Sequence, residues 1–324
     1  MSGQTDVNNG KRKTFVVAAA AASAAVALTA SSSLPAQAAH RLLQYLTVNV
    51  GKFGSYVNGV NDAGVMTGTY LDAGGGYHGY VTSGGCVVKF DYPGASGVTF
   101  PSGINNADTV AGAYIDANGI WHGFVRRPGG AFSVINDPKV GSGGAGTIPE
   151  GINDEGVVVG QYLDSHNVNH GFVDNGGVFT TVNAPHAGVG SGQGTILTGE
   201  NDAGVIVGEY IDNHNVSYGF VDTSGNFTTI NAPGAGSGAG QGTTPSAISN
   251  SGSIDGTIIN SSGVTRGWLL RDWQFTPLDD PHAGTGAGDG TFIKNISPNG
   301  DVVVGLYIES PTAYFHGFVV NIEG

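Results

Sequence analysis

The sequence predicts an all-β chain folded as a six-bladed β-propeller with four antiparallel strands per blade. Three observations predict it. A glycine followed by an aromatic residue recurs at Gly79, Gly123, Gly171, Gly219, Gly267 and Gly317, at intervals of 44, 48, 48, 48 and 50 residues. A period of that size, holding several short strands, signals a radial β architecture. The two ends also complement each other. The last copy stops at Phe318-Val319-Val320-Asn321, after a third strand, and the missing fourth strand stands at the other end as Tyr45-Leu46-Thr47-Val48-Asn49-Val50. That segment aligns with the fourth strand of the third copy, Phe179-Thr180-Thr181-Val182-Asn183-Ala184. The N-terminal strand would complete the last blade and close the ring, leaving few edges open to aggregation. An open β-solenoid is the alternative, but it gives no reason for one end to supply what the other lacks.

The third copy justifies the elements in order. Residues 146–153 read as a first strand. Asp154-Glu155-Gly156 is a turn, because a short polar side chain and glycine favour that geometry. Residues 157–163 are rich in β-branched side chains and read as a second strand. After a turn over 164–168, Asn169-His170-Gly171-Phe172-Val173 forms the third strand and Asn175-Gly176-Gly177 a tight hairpin. Residues 178–182 form the fourth, and Pro185 stops the ladder because it has no N–H to donate. The repeats run 51–93, 94–138, 139–185, 186–233, 234–281 and 282–324, with strand 44–50 added, as a single domain over 39–324.

Residues 1–38 read as a secretory signal peptide. Lys11-Arg12-Lys13 is the basic start, residues 15–30 are an Ala- and Val-rich apolar run, and Ala36-Gln37-Ala38 fits a cleavage site. An uncleaved N-terminal anchor is the alternative. No later segment approaches the roughly 18 apolar residues of a membrane span. Cleavage would leave 286 residues with 9 basic and 24 acidic side chains, a net charge of −15. Such an acidic surface repels nucleic acid. Cys86 is the only cysteine, so stability rests on burial and not on an intrachain disulfide. The chain is expected to be extracellular or periplasmic, and a monomer.

The pattern Gly151-Ile152-Asn153-Asp154, a glycine and valine-rich strand, Tyr162, Asp164 and then His170-Gly171-Phe172-Val173 resembles the extracellular HAF-repeat family of bacterial secreted proteins. Residues 199–221 match it equally, and the resemblance spans 45–324. The fifth copy departs most, with Ser249-Asn250 for Asn-Asp, Ile258 for Tyr and Arg266 for His. The resemblance implies secretion and a propeller-like repeat. It implies no particular activity.

Residues that repeat are read as architecture, and function is sought where the repeats differ. His78, His122, His170 and His316 face Asp72, Asp116, Asp164 and Glu309 across a short hairpin and read as structural clasps. The first strand of each copy carries one variable polar residue: Asn58, Ser102, Glu150, Thr198, Ser246 and Lys294. In a propeller the first strand lines the central channel, so these six would form a polar ring able to bind a small ligand or ion. Glu200 stands where other copies have Val60, Ile104, Ile152, Ile248 and Ile296, and a carboxylate there would be desolvated and its pKa raised. His166, His186 and His214 lie in loops of adjacent copies and are candidate metal ligands, since imidazole suits zinc or copper. No other cofactor is expected. Trp121, which precedes a His-Gly step, is a candidate exposed anchor for a glycan or protein.

Two function classes follow, with a purely structural surface protein as a third. One is a non-enzymatic secreted binding module that presents its loops to a polysaccharide or protein partner. The other is a hydrolase or lyase at the channel mouth, with Glu150 or Glu200 as acid/base and Lys294 as electrostatic stabiliser. No Gly-x-Ser-x-Gly elbow, His-Glu-x-x-His helix or paired metal cysteines occur.

Overall fold

The computed structural model describes residues 14–15, 27–30, 43–141, 146–309 and 315–322. All regular structure among them is β-strand, and none of it is helix. Hydrogen bonds join the strands into one sheet of 22 and one of four.

Within these sheets the antiparallel pairs follow the sequence repeat. Ser55–Val60, Met66–Leu71, Tyr77–Ser83 and Cys86–Phe90 pair in succession as unit one. Thr99–Ile104, Val110–Ile115, Trp121–Arg126 and Phe132–Ile135 form unit two. Thr147–Ile152, Val158–Leu163, Asn169–Asn175 and Val178–Val182 form unit three. Units four and five start with Gly194–Glu200 and Gly242–Ile248 and repeat the pattern. Unit six holds Gly290–Ile296, Val302–Ile308 and Phe315–Asn321. The strand pairing with Phe315–Asn321 on its free side is Tyr45–Asn49, with Gly317 opposite Val48. The expected exchange of a strand between the ends of the repeat array is therefore present as a pairing. Units are also bridged by single parallel contacts, such as Asn169 with Gly194 and His316 with Ser55.

Burial follows from period-2 alternation within strands. The aromatic after each repeated glycine points into the core: Tyr80, Phe124, Phe172, Phe220 and Phe318 are 0–1% exposed and Trp268 4%. The glycine before it leaves room for the next unit. A Cβ at Gly171 would meet Val182 O at 2.6 Å and Leu197 Cγ of unit four at 2.7 Å. Core clusters accordingly bridge units; one joins Val48, Val57 and Tyr80 to Val304.

Every first strand carries a β-bulge at the same place. Register shifts fall between Val57 and Gly59, Pro101 and Gly103, Pro149 and Gly151, Leu197 and Gly199, Pro245 and Ala247, and Ile293 and Asn295. The extra residue is Asn58, Ser102, Glu150, Thr198, Ser246 or Lys294. A bulge leaves one residue unpaired and re-aims its side chain, so the variable polar position is also the geometrically special one.

Two short strands, Thr14–Phe15 and Ala27–Ala30, pair with each other, and Ala27–Ala30 pairs with Tyr45–Asn49. Both fall in the segment read as a signal peptide. The basic triplet at 11–13 and the cleavage site at 36–38 lie outside the described residues. No described helix is long and apolar enough to cross a membrane.

Candidate functional site

All six bulge residues line one cavity of about 580 Å³. Three of them are occupied in joining units. Asn58 Nδ2 donates to Pro101 O at 2.6 Å, Ser102 Oγ to Pro149 O at 2.6 Å, and Ser246 Oγ to Ile293 O at 2.9 Å. Thr198 Oγ1 donates within its own unit, to Val207 O at 3.3 Å. The polar ring is thus partly structural: a small donor at a bulge finds the adjacent carbonyl before it finds solvent. Glu150 cannot donate in this way when ionised, and Lys294 is too long.

Glu150 and Lys294 remain as the charged members. Burial pushes the Glu150 carboxyl up to about 7, although Lys294 and a hydrogen bond from Gln161 Nε2 at 3.4 Å pull the other way. Lys294 is exposed into the cavity; the protein around it lowers its pKa and the Glu150 charge partly restores it.

A third charged residue was missed by the sequence reading. Glu209 lines the same cavity from the second strand of unit four, and Thr244 Oγ1 of unit five donates to its Oε2 at 2.8 Å. Burial raises its pKa. A signal was available in the register. Glu209 pairs with Ile196, and the equivalent positions of other copies are Thr69, Ala113, Gln161, Thr257 and Leu306. A lone carboxylate in that column marks the same break of symmetry as Glu150.

The opposite wall is aromatic. Tyr56, Tyr77, Phe100, Trp121 and Phe315, from units six, one and two, line the cavity together. Phe100 packs against Tyr77 at a ring separation of 5.2 Å, Tyr56 at 6.0 Å and Trp121 at 6.4 Å, and Tyr56 against Phe315 at 5.9 Å. Trp121 is therefore not an exposed outer anchor as expected. It is half-buried at the start of a third strand, supported by Phe100, and turned to the cavity.

Past the bulges the first strands converge. A Cβ at Gly151 would stand 3.3 Å from Gly199 Cα, and one at Gly199 3.1 Å from Ala247 Cα. Glycine permits this close backbone approach. On the far side is a second, much smaller cavity of about 30 Å³, lined in part by Glu200. Glu200 does not join Glu150 and Lys294. Its Oε2 is buried without a hydrogen-bond partner, and burial pushes its pKa up to about 7.

Among the described residues, no three His, Cys, Asp or Glu side chains converge to hold an ion. His166 and His214 turn back to the aspartates of their own turns, Asp164 at 3.8 Å and Asp212 at 3.4 Å, and His186 packs toward Tyr210. The clasps form as read. His78, His122, His170 and His316 approach Asp72, Asp116, Asp164 and Glu309 at 3.1, 3.4, 3.4 and 3.8 Å. Each ring also stacks on the tyrosine opposite it, as His170 does on Tyr162 at 5.1 Å. In unit five Arg266 reaches Asp279 at 3.4 Å instead.

No protein-family model matches the chain, and no curated protein matches it. Among solved structures, the β-propeller domain of the Trilobed protease from Pyrococcus furiosus shares 10% identity over 83% of this chain and 96% of its own, with a TM-score of 0.43. The fucose-specific lectin from Aleuria aurantia shares 13% identity over 83% and 96%, at 0.46. A Bacteroides thetaiotaomicron protein of unknown function shares 13% over 96% and 91%, at 0.47. Likeness at this level assigns neither ligand nor activity.

Proposed function

We propose that this chain is a secreted, monomeric, non-enzymatic binding module, built as a closed six-bladed β-propeller that holds the end of a glycan in its axial cavity. Closure is supported by the pairing of Tyr45–Asn49 with Phe315–Asn321 and by the Val60 N–H donating to Asn295 Oδ1 at 3.3 Å. Export and membership of the HAF-repeat family rest on the leader-like residues 1–38 and the repeated motif. The observation that carries the ligand reading is the two-sided cavity, with aromatic rings on one wall and Glu150, Gln161, Glu209 and Thr244 on the other. Sugars are two-sided in the same sense: C–H faces pack on rings while hydroxyls seek acceptors and donors. Its volume falls within the roughly 300–1,000 Å³ of small-molecule sites.

The test is a binding screen of the purified chain against an oligosaccharide panel, with Trp121→Ala beside it. Retention of a sugar that Trp121→Ala loses supports the reading, and binding untouched by that change removes it. One observation favours a second reading, acid/base catalysis: burial pushes the Glu150 carboxyl up to about 7 in the cavity that Lys294 also lines. Hydrolysis of a panel member, abolished in Glu150→Gln without loss of binding, would establish that reading in place of the first.

A further inference from the structure

The cavity's charges are unevenly set. Its two carboxylates, Glu150 and Glu209, come from adjacent units, and its one ammonium, Lys294, from unit six. Glu209 is oriented by the Thr244 hydroxyl at 2.8 Å, and Glu150 accepts from Gln161 at the longer distance of 3.4 Å. An anionic ligand would meet a surplus carboxylate. A neutral one would leave that carboxyl to bury either a proton or a charge without a counter-ion. A cation satisfies it, while the rings of Tyr56, Phe100 and Trp121 on the opposite wall are left to the apolar face of the same ligand. The acidic net charge of the chain attracts cations at longer range.

The shape adds a second restriction. The wide end offers about 580 Å³ and the narrow end about 30 Å³, little more than water-sized space. Between them Gly151, Gly199 and Ala247 bring the strand backbones into contact. A ligand entering from the wide mouth ends there instead of threading through.

We propose that the cavity selects the terminal residue of an amine-bearing saccharide, its ammonium set between Glu209 and Glu150 and its sugar ring on the aromatic wall. This rests on the cavity being the glycan site. The test is calorimetric titration with three oligosaccharides of equal length: a glucosamine oligomer, its fully N-acetylated form and a galacturonate oligomer. The expected result is that the glucosamine oligomer binds at least about tenfold tighter than either other, the size of one charge-assisted hydrogen bond. Glu209→Gln should remove most of that preference, Trp121→Ala should weaken all binding, and His166→Ala should change nothing.

If the N-acetylated or galacturonate oligomer binds as tightly and remains sensitive to Trp121→Ala, the amine preference is overturned while the cavity reading stands. Binding of the glucosamine oligomer that ignores both Glu209→Gln and Trp121→Ala places it on the outer acidic surface and overturns the proposal. Failure of all three oligomers to bind, with circular dichroism showing a folded chain, overturns both readings.

Discussion

The backbone N–H of Asn299 donates to Asp62 Oδ1 at 2.8 Å, across a sequence separation of 237 residues. The contact is one of a series. Asp62 N–H donates to Asn106 Oδ1, Asn106 N–H to Asp154 Oδ1, Asp154 N–H to Asp202 Oδ1, and Asp202 N–H to Asn250 Oδ1, at 2.7–3.0 Å. Asn250 N–H continues to Pro298 O at 2.7 Å. The position after the repeated asparagine thus sews each unit to the next, and the last stitch returns to the first unit. A buried inner row runs beside it, with Asn105 Nδ2 donating to Asn153 O at 2.9 Å and Asn201 Nδ2 to Ser249 O at 3.2 Å.

If the ring is closed by Tyr45–Asn49, the repeats should not be stable without it. Val48 is fully buried, and its strand covers the outer edge of Phe315–Asn321. Burying one valine contributes about 1.5 kcal/mol or more, and the whole strand several times that. A chain starting at residue 39 should melt in one cooperative transition, whereas one starting at residue 51 should melt far lower or fail to fold. Equal melting temperatures would contradict closure.

Much of this was legible in the sequence. The period, the all-β class, the histidine clasps and the strand exchange all rest on local pattern repeated many times, which averages out single irregularities. The bulge position was legible as the variable column, but its hydrogen bonding was not. Whether Ser102 serves a ligand or Pro149 O depends on how two units are spaced, which no strand pattern encodes. Trp121 was misplaced for the same reason, since its wall is assembled from three units. Glu209 was overlooked because a Glu next to Tyr210 in a strand reads as a solvent-facing residue.

Glu200 should cost stability at neutral pH. Its folded pKa, about 7, lies above the ordinary value of 4.5. The folded form therefore holds a proton more tightly, and stability is full below about 4.5 and declines as pH rises toward 7. Glu200→Ile, which installs the residue of units two, three, five and six, should gain about 1 kcal/mol at pH 8 and little at pH 4. Urea titrations at the two pH values measure this; an equal gain at both would contradict it.

Asp255 obeys the same sign for a different geometry. It is fully buried; Oδ1 accepts from Ala247 N–H at 2.9 Å, and Oδ2 is without a partner. Burial holds its pKa well above 3.8, so ionisation opposes folding as pH rises. Asp255→Asn keeps the Oδ1 acceptor and removes the titration. Its melting temperature relative to wild type should improve steadily from pH 4 to pH 8, and a flat difference would show that the group does not titrate.

His78 should behave in the opposite sense to a buried neutral imidazole. Burial lowers its pKa, but hydrogen bonds to Asp91 at 2.9 Å and Asp72 at 3.1 Å outweigh this and raise it above 6.5. Its contribution is complete below the unfolded value and fades as pH rises through the folded one. His78→Ala should lower the melting temperature more at pH 5.5 than at pH 8.5. A loss independent of pH would leave only the Tyr70 stack as the cause.

The most direct measurement for the account as a whole is a crystal structure of the mature chain soaked with the tightest-binding oligosaccharide from the panel. The expected result is six four-stranded blades in a ring closed by Tyr45–Asn49, and one terminal sugar between Trp121 and Glu209. Sugar density confined to the outer loops or to clefts between neighbouring blades, with the axial cavity holding solvent alone, would contradict it.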